Sequence, residues 1–305
     1  MKNLSDKNKP KELVFNVNND DELMSFIIRT MKGISRNKVK KMLSGHFVYV
    51  NDKCISQYNY PLTVGMKVKI VSGKGGYNFK NKWVHIVYED KYIIVVNKKD
   101  GILTNSLKSS DISVQSILNH YFEESKQRCH AHVVHRLDKY TSGLLFFAKN
   151  KKIATDFEEN WKEKVYDRRY IAVVQGEMKK GNGIIKSWLK DDNMYVSHSS
   201  RFDNGGKLAI THYSRLYAAD GYSLVELRLE TGRKNQIRVH LQDIGHPVVG
   251  DKKYGNEDNS IGRLALHAFK LCFKHPVNGE DMKFQTALPN VFKSVFSCFP
   301  DNFSL

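Results

Sequence analysis

From Trp83 onward the chain is a succession of short apolar runs separated by turns, and that rhythm limits the fold more than any other feature. Val84-His85-Ile86-Val87-Tyr88-Glu89 and Tyr92-Ile93-Ile94-Val95-Val96-Asn97 read as two strands around the turn Glu89-Asp90-Lys91. Leu144-Leu145-Phe146-Phe147-Ala148, Tyr170 to Val174, Tyr222 to Leu227 and Leu264 to Phe273 are further strand runs, rich in β-branched and aromatic residues. Only a few stretches carry helical spacing, chiefly Val114, Ile117, Leu118, Tyr121 and Phe122, then Ile153, Phe157 and Trp161. Many strands and few helices predict an α+β domain with a largely antiparallel, mixed β-sheet flanked by helices. No internal repeat and no further boundary shows after residue 83, so 83–305 reads as one domain.

A smaller unit precedes it. Residues 1–20 are Asn- and Lys-rich with little pattern and read as a flexible tail. In 21–72, Leu23, Phe26, Ile27 and Met31 fall on one helical face, with Gly33 as a stop. Ser35 is a good cap for a second helix that turns Val39, Met42 and Leu43 inward and Arg36, Lys38, Lys40 and Lys41 outward, with Gly45 as its stop. Phe47 to Val50 reads as a strand and Asn51-Asp52 as a turn, and Met66, Val68 and Ile70 alternate with Lys67 and Lys69. Residues 73–82 read as a linker. Their Gly73-Lys74-Gly75-Gly76 is no phosphate-binding loop, because the Lys-Ser/Thr ending and its helix are missing.

The chain's formal net charge is +17, unevenly spread: residues 21–82 hold twelve Lys/Arg against three Asp/Glu. A dense positive field on a small unit favours a polyanion, most simply nucleic acid; a solvated basic surface is the plain alternative. No apolar run approaches a membrane span, and Met1 to Lys7 lacks the apolar core of a secretion signal. Cys54, Cys129, Cys272 and Cys298 are scattered without a C-x-x-C pair, which argues against a zinc ribbon or disulfide framework and predicts a cytoplasmic setting.

The chemistry-bearing segment is His135-Arg136-Leu137-Asp138-Lys139-Tyr140-Thr141-Ser142-Gly143-Leu144-Leu145. It places one carboxylate beside an arginine, in a polar turn at the mouth of a buried strand. There a carboxylate is well held and only half solvated, the setting of a nucleophile or base. On local grounds alone, an Asp that hydrogen-bonds its own turn is the commoner case. Three other segments accompany it: Arg168-Arg169-Tyr170 opening a strand; Glu230 to Leu241, where Asn235 is a candidate cap and Ile237, Leu241 and Ile244 the buried face; and the Gly/Pro-punctuated loop Ile244 to Asp251.

Together with Arg263 to Ala268 and His275-Pro276, these segments resemble the RluA-type pseudouridine synthase family from about Ile86 to Pro289. The H-R-L-D-x-x-T-S-G-L motif is highly specific and intact at 135–144. The preceding unit resembles the ribosomal S4-type RNA-binding domain, through Ser35-Arg36, Gly45 to Asn51 and Gly65 to Val68. The resemblance implies an isomerase of RNA uridines, most simply in large-subunit ribosomal RNA, that breaks the N1–C1′ bond, turns the base and forms a C5–C1′ bond without cofactor or metal. It implies Asp138 as the catalytic carboxylate, acting at C1′, at the base or on a sugar proton. Arg238, in Gln236-Ile237-Arg238, would keep Asp138 ionised and aim it through charge-assisted hydrogen bonds. Tyr170 would stack on the flipped uracil. Arg136, two residues from Asp138 and so on the same side of an extended backbone, would hold the RNA. Without the resemblance, Arg238 reads as a surface helix arginine, Tyr170 as a core tyrosine and Arg136 as half of an ion pair. In the basic unit, Arg36, Lys38, Lys40 and Lys41 would contact RNA.

There are departures: Lys234-Asn235 stands where many members have Thr-His, Lys99 where many have Pro, and Arg168 where the family has Lys. His130, His132 and His135 invite a metal reading, but no carboxylate or cysteine cluster completes a site. His135 is expected to orient the loop backbone instead. Competing readings are a transfer-RNA pseudouridine synthase, a non-catalytic RNA-binding or ribosome-assembly protein, and an N-glycosidic hydrolase, which lacks a second catalytic acid.

Overall fold

The computed structural model describes residues 11–44, 47–55, 57–72, 79–108, 111–194, 196–255, 258–301, 303 and 305. The first unit comprises β1 (Lys11–Asn16), β2 (Asp21–Glu22), α1 (Leu23–Thr30), α2 (Arg36–Ser44), β3 (Val48–Val50), β4 (Lys53–Cys54), β5 (Pro61–Leu62) and β6 (Lys67–Ser72). Its antiparallel sheet runs β1-β6-β3-β4. The two helices bury Leu23, Phe26, Ile27, Val39 and Leu43 against Val48, Val50, Val68 and Ile70, a core separate from the main one.

Residues 11–16 are not tail but β1, with Leu13 opposite Ile70 and Phe15 opposite Val68. Two apolar residues at strand spacing suffice once β6 offers an open edge; in the sequence they are diluted by Lys and Asn. Gly45, Gly73 to Gly76 and residues 1–10 lie outside the described residues.

The second unit holds β7 (Val84–Glu89), β8 (Ile93–Lys98), α3 (Val114–Glu124), β9 (His132–Val133), β10 (Ser142–Ala148), α4 (Lys151–Glu159), α5 (Trp161–Lys164), β11 (Val165–Gln175), β12 (Asn182–Asp191), β13 (Ser197–Ser200), β14 (Lys207–Ala219), β15 (Tyr222–Leu229), α6 (Gln236–Asp243), β16 (Leu266–Lys274), β17 (Asp281–Gln285) and α7 (Asn290–Lys293). Its eleven-stranded sheet runs β13-β12-β14-β15-β11-β16-β10-β8-β7, with β17 on β16 and β9 on β10. Among the described strands β10 and β16 alone run parallel. The expected α+β class with a largely antiparallel mixed sheet is therefore what the chain adopts.

β10 is buried along its whole length. Phe146 stacks on Phe273 at 4.4 Å and 13° and meets Phe157 edge-on at 5.0 Å. Burying one such ring contributes roughly 1.5–3 kcal/mol. Gly143 opposes Ala268 in the parallel register. A Cβ there would lie 2.2 Å from the Ala268 carbonyl oxygen, and the residue sits at φ +119°. Only glycine lets β10 approach β16 this closely, and this approach sets the Asp138 turn beside β11 and α6.

Candidate active site

The Asp138 turn is fixed from below. The Thr141 N–H donates to the Asp138 carbonyl at 3.1 Å, and the Lys139 carbonyl accepts from the Gly101 N–H at 2.8 Å. The same carbonyl accepts from Lys98 Nζ at 3.1 Å. Lys98, wholly buried at the end of β8, also donates to the carbonyls of Lys99 and Ile102 at 3.0 and 2.9 Å. Burial pushes its pKa down to about 7, against the pull of the Asp100 and Asp138 carboxylates. The Thr104 hydroxyl brackets Leu137, donating to its carbonyl at 2.8 Å and accepting its N–H at 3.1 Å. His135 Nε2 accepts the Phe146 N–H at 3.2 Å, tying the loop to β10 as expected of it. Its ring lies against Phe146 and Trp161. Nδ1 is shut off from solvent without a partner, and burial, reinforced by Arg168, holds the imidazole down to about 3.

With Leu137 turned into the core, Arg136 and Asp138 both face a cavity of about 490 Å³. Tyr170 from β11 and Arg238 from α6 line the same cavity. The four residues singled out from three distant segments thus meet in one place. Asp138 is half-buried, and its carboxylate accepts no hydrogen bond among the described residues. Tyr170 is buried between Leu227 and Ala268 on the neighbouring strands. Burial pushes its hydroxyl above the ordinary value; Arg168 pulls it back and the Asp138 charge pushes it further.

Arg238 differs from expectation. Its fork is not laid on Asp138 but on Asp251: Nε and Nη2 each donate to one carboxylate oxygen at 2.7 Å. Nη1 donates to Asn235 Oδ1 at 2.8 Å, and the guanidinium lies 4.9 Å from the Tyr254 ring centre. Burial opposes its charge, yet the Asp251 bonds and charge, with Asp138 adding to them, hold its pKa above the ordinary value. Two N–H groups remain uncommitted in this set. Asp251, itself almost fully buried, also accepts the N–H groups of Lys253 and Tyr254 at 2.9 and 3.0 Å. Asn235 does start α6, but in a left-handed conformation at φ 55° and without a side-chain cap. Its side chain serves Arg238 instead. Gln236 secures the turn, accepting from the Thr231 hydroxyl and Arg233 N–H and donating to Ile210 and Thr211.

The rim is cationic. Arg168 lies over the Trp161 ring at 4.9 Å and reaches toward Gly232 across the cavity. Lys162, Arg233 and Lys234 complete that side. Sequence reasoning passed over the roles of Lys98 and Asp251. The available signals were a lysine closing an otherwise apolar strand and an aspartate in a glycine-rich loop. Arg36, Lys38 and Lys40 stand exposed on α2, away from this cavity; the Lys41 side chain lies outside the described residues. No group of three or more His, Cys, Asp or Glu side chains suited to a metal occurs among the described residues.

A large antiparallel sheet carrying one unpaired carboxylate in a cation-rimmed cavity defines an enzyme domain for an anionic substrate. Residues 92–243 match the family described as RNA pseudouridylate synthase. The RNA pseudouridine synthase YhcT of Bacillus subtilis is 28% identical over 96% of this chain and 100% of its own. Ribosomal large subunit pseudouridine synthase D of Haemophilus influenzae is 32% identical over 85% of each chain. Among solved structures, human RNA pseudouridylate synthase domain containing 1 is similar at 29% identity and a TM-score of 0.55, over 67% of this chain and 82% of that one. The chain belongs to the RNA pseudouridylate synthase family, in its RluA-type branch, and is therefore an RNA-modifying isomerase.

Proposed function

We propose that this protein converts specific uridines of large-subunit ribosomal RNA to pseudouridine, with Asp138 as the catalytic carboxylate. Residues 83–305 form the catalytic domain, and residues 11–72, β1 included, an S4-like domain that grips RNA through Arg36, Lys38, Lys40 and Lys41. The observation that carries the reading is the meeting of Arg136, Asp138, Tyr170 and Arg238 around one cavity. A carboxylate that accepts no hydrogen bond beside cations keeps its oxygens open to a substrate, whereas a structural one is consumed by its neighbours.

Each neighbour has a part in the isomerisation. The reaction exchanges an N1–C1′ for a C5–C1′ bond, so the freed uracil has to stay in place and turn. The Tyr170 ring is a flat wall for it, fixed by the sheet. Arg238, immobilised by Asp251, directs its remaining N–H groups at Asp138 or the sugar. Arg136, exposed at the rim, neutralises the RNA backbone as the nucleotide leaves its stack. The ribosomal preference rests on relatives named for the large ribosomal subunit in Haemophilus influenzae and Rickettsia bellii. Among the described residues no helix is long and apolar enough to cross a membrane, and the reading places the protein in the cytoplasm with its RNA.

The test is site-resolved pseudouridine mapping of total RNA from cells with and without the gene, complemented by wild type or Asp138→Asn. Loss of discrete marks in large-subunit RNA, restored only by wild type, is the expected result. Loss confined to transfer RNA would move the substrate, and free uracil released in vitro would point to a hydrolase. Restoration by Asp138→Asn would remove Asp138 from the chemistry.

A further inference from the structure

A second cavity of about 380 Å³ continues from the rim of the first, and the turn Gly232-Arg233-Lys234 lines both. Its far side is built by Lys190 on β12, by Gly205 and Gly206 in the β13–β14 loop, and by Lys207 opening β14. The loop lies close to β12 because residue 206 is glycine: a Cβ there would sit 2.6 Å from the Leu189 carbonyl oxygen. Four cations face the groove against one acid, Asp191, which already accepts from Lys234 Nζ at 2.9 Å and from the Ser197 hydroxyl at 2.6 Å. Lys207 makes no ion pair among the described residues. Arg233 commits only its Nε, to the Leu208 carbonyl at 3.0 Å, and Lys190 rests on the Asn204 carbonyl at 3.4 Å. The groove thus carries positive charge that the fold does not use.

On the same loop Phe202 is 81% exposed, beside Arg201. A ring in that position adds nothing to the core. Exposed aromatic surface interleaved with cations is the composition of grooves that hold single-stranded nucleic acid, where the cations follow the backbone and the ring takes a base face. A duplex arm suits the loop less well, because stacked and paired bases leave no face open to a side chain.

We propose that this groove binds the unpaired RNA strand flanking the target uridine, with Arg233, Lys207 and Lys190 on phosphates and Phe202 stacked on a base. The proposal rests on the reading of the first cavity as an RNA site, and it adds a source of sequence-context preference outside that cavity.

The test uses the full chain and a fluorescein-labelled single-stranded oligouridylate decamer, with binding followed by anisotropy between about 50 and 200 mM salt. Lys190→Gln combined with Lys207→Gln is expected to flatten the log–log salt slope by about 1.4, two phosphates at roughly 0.7 each. Phe202→Ala is expected to weaken binding about five- to tenfold at an unchanged slope, and to leave binding of a duplex of equal length unaffected. An unchanged slope in the double variant overturns the phosphate role. Equal losses on duplex and single strand for Phe202→Ala overturn the stacking role, as does no loss on either, which would leave the exposed ring to a protein partner. Because the readout is binding, it stands apart from turnover: a wild type that makes no pseudouridine refutes the active-site reading without touching the slopes, and the converse also holds.

Discussion

Replacing Asp251 by asparagine keeps the side chain's shape and removes its charge. In the native protein this buried carboxylate takes both prongs of Arg238 and two backbone N–H groups. An amide offers one oxygen and one NH2, so one prong of the guanidinium would meet a donor. Removing one partner of a buried pair costs about 3–5 kcal/mol, and the retained amide oxygen puts Asp251→Asn near the lower end. In a domain of this size about 3 kcal/mol corresponds to a Tm lower by roughly 6–12 °C at pH 7. The pH dependence follows from the direction of the shift. Burial pushes the Asp251 carboxyl up, but the Arg238 bonds and charge outweigh it, so the folded pKa lies below the unfolded one. As pH falls the unfolded chain takes the proton first. The pair's contribution is complete above about pH 4–5 and drains as pH drops through the folded value. Calorimetric melts of wild type and variant at pH 7, 5 and 3.5 should show a constant gap that narrows only at the last. A variant within about 0.5 kcal/mol of wild type at pH 7 would refute the argument. The double replacement Arg238→Met/Asp251→Leu should recover only part of the stability, since an apolar pair fills a buried ionic site well but leaves the Lys253 and Tyr254 N–H groups unpaired, and should restore no pseudouridine formation.

Burial holds the imidazoles of His135, His240 and His267 down to about 3, 4 and 3, with Arg168 and Arg263 adding to the effect at the first and last. The unfolded rings titrate near 6.5, so stability is lost as pH falls below that value, and unfolding at pH 5 should take up about three protons from them; an uptake below one, from calorimetry in buffers of different ionisation enthalpy, would contradict this. Gly143→Ala drives a methyl into the Ala268 carbonyl at positive φ and should cost about 3 kcal/mol or more, read as a lowered Tm or loss of soluble protein; an unaltered melt would show that β10 and β16 can part. Deleting residues 1–78 should leave a folded catalytic domain with weaker ribosomal RNA binding and a shallower salt slope, and an unchanged slope would remove the basic unit from RNA contact.

The strands legible in the sequence carry either a continuous apolar run or, as in β6, a clean apolar alternation. β10, β8 and the centre of β11 carry near-continuous runs of Val, Ile, Leu, Phe and Ala, and they are where those runs placed them. The long hairpin β12–β14 was not anticipated, and its side chains explain why. Its inward positions include Ser187 and Thr211, which look like surface residues. They are buried because His240 on α6 bonds the Ser187 hydroxyl through Nε2 and that of Thr211 through Nδ1, at 3.0 and 2.9 Å. A polar core satisfied by a helix residue 29 positions beyond Thr211 and 53 beyond Ser187 leaves no apolar alternation to read. β1 escaped for a related reason, since the single short run Leu13-Val14-Phe15 marks it, with Val14 turned to solvent.

The candidate site shows the same division more sharply. Asp138 and Asp251 are the same residue type at the ends of two loops, and composition does not tell them apart. The fold separates them by partners. Asp251 spends both oxygens on Arg238 and two backbone N–H groups, so its charge is consumed in holding a guanidinium still. Asp138 has its backbone anchored through Thr141 while its carboxylate is left open to a cavity. The Asp138 carboxylate keeps a rigid base and an unsatisfied head, as the proposed role requires, because Lys98 and Gly101 hold the turn by the Lys139 carbonyl rather than by the acid itself. The motif at 135–144 names the acid. What leaves its carboxylate without a partner is a lysine forty residues earlier that holds the turn and an aspartate more than a hundred later that takes the arginine, contacts that only the closed sheet brings together.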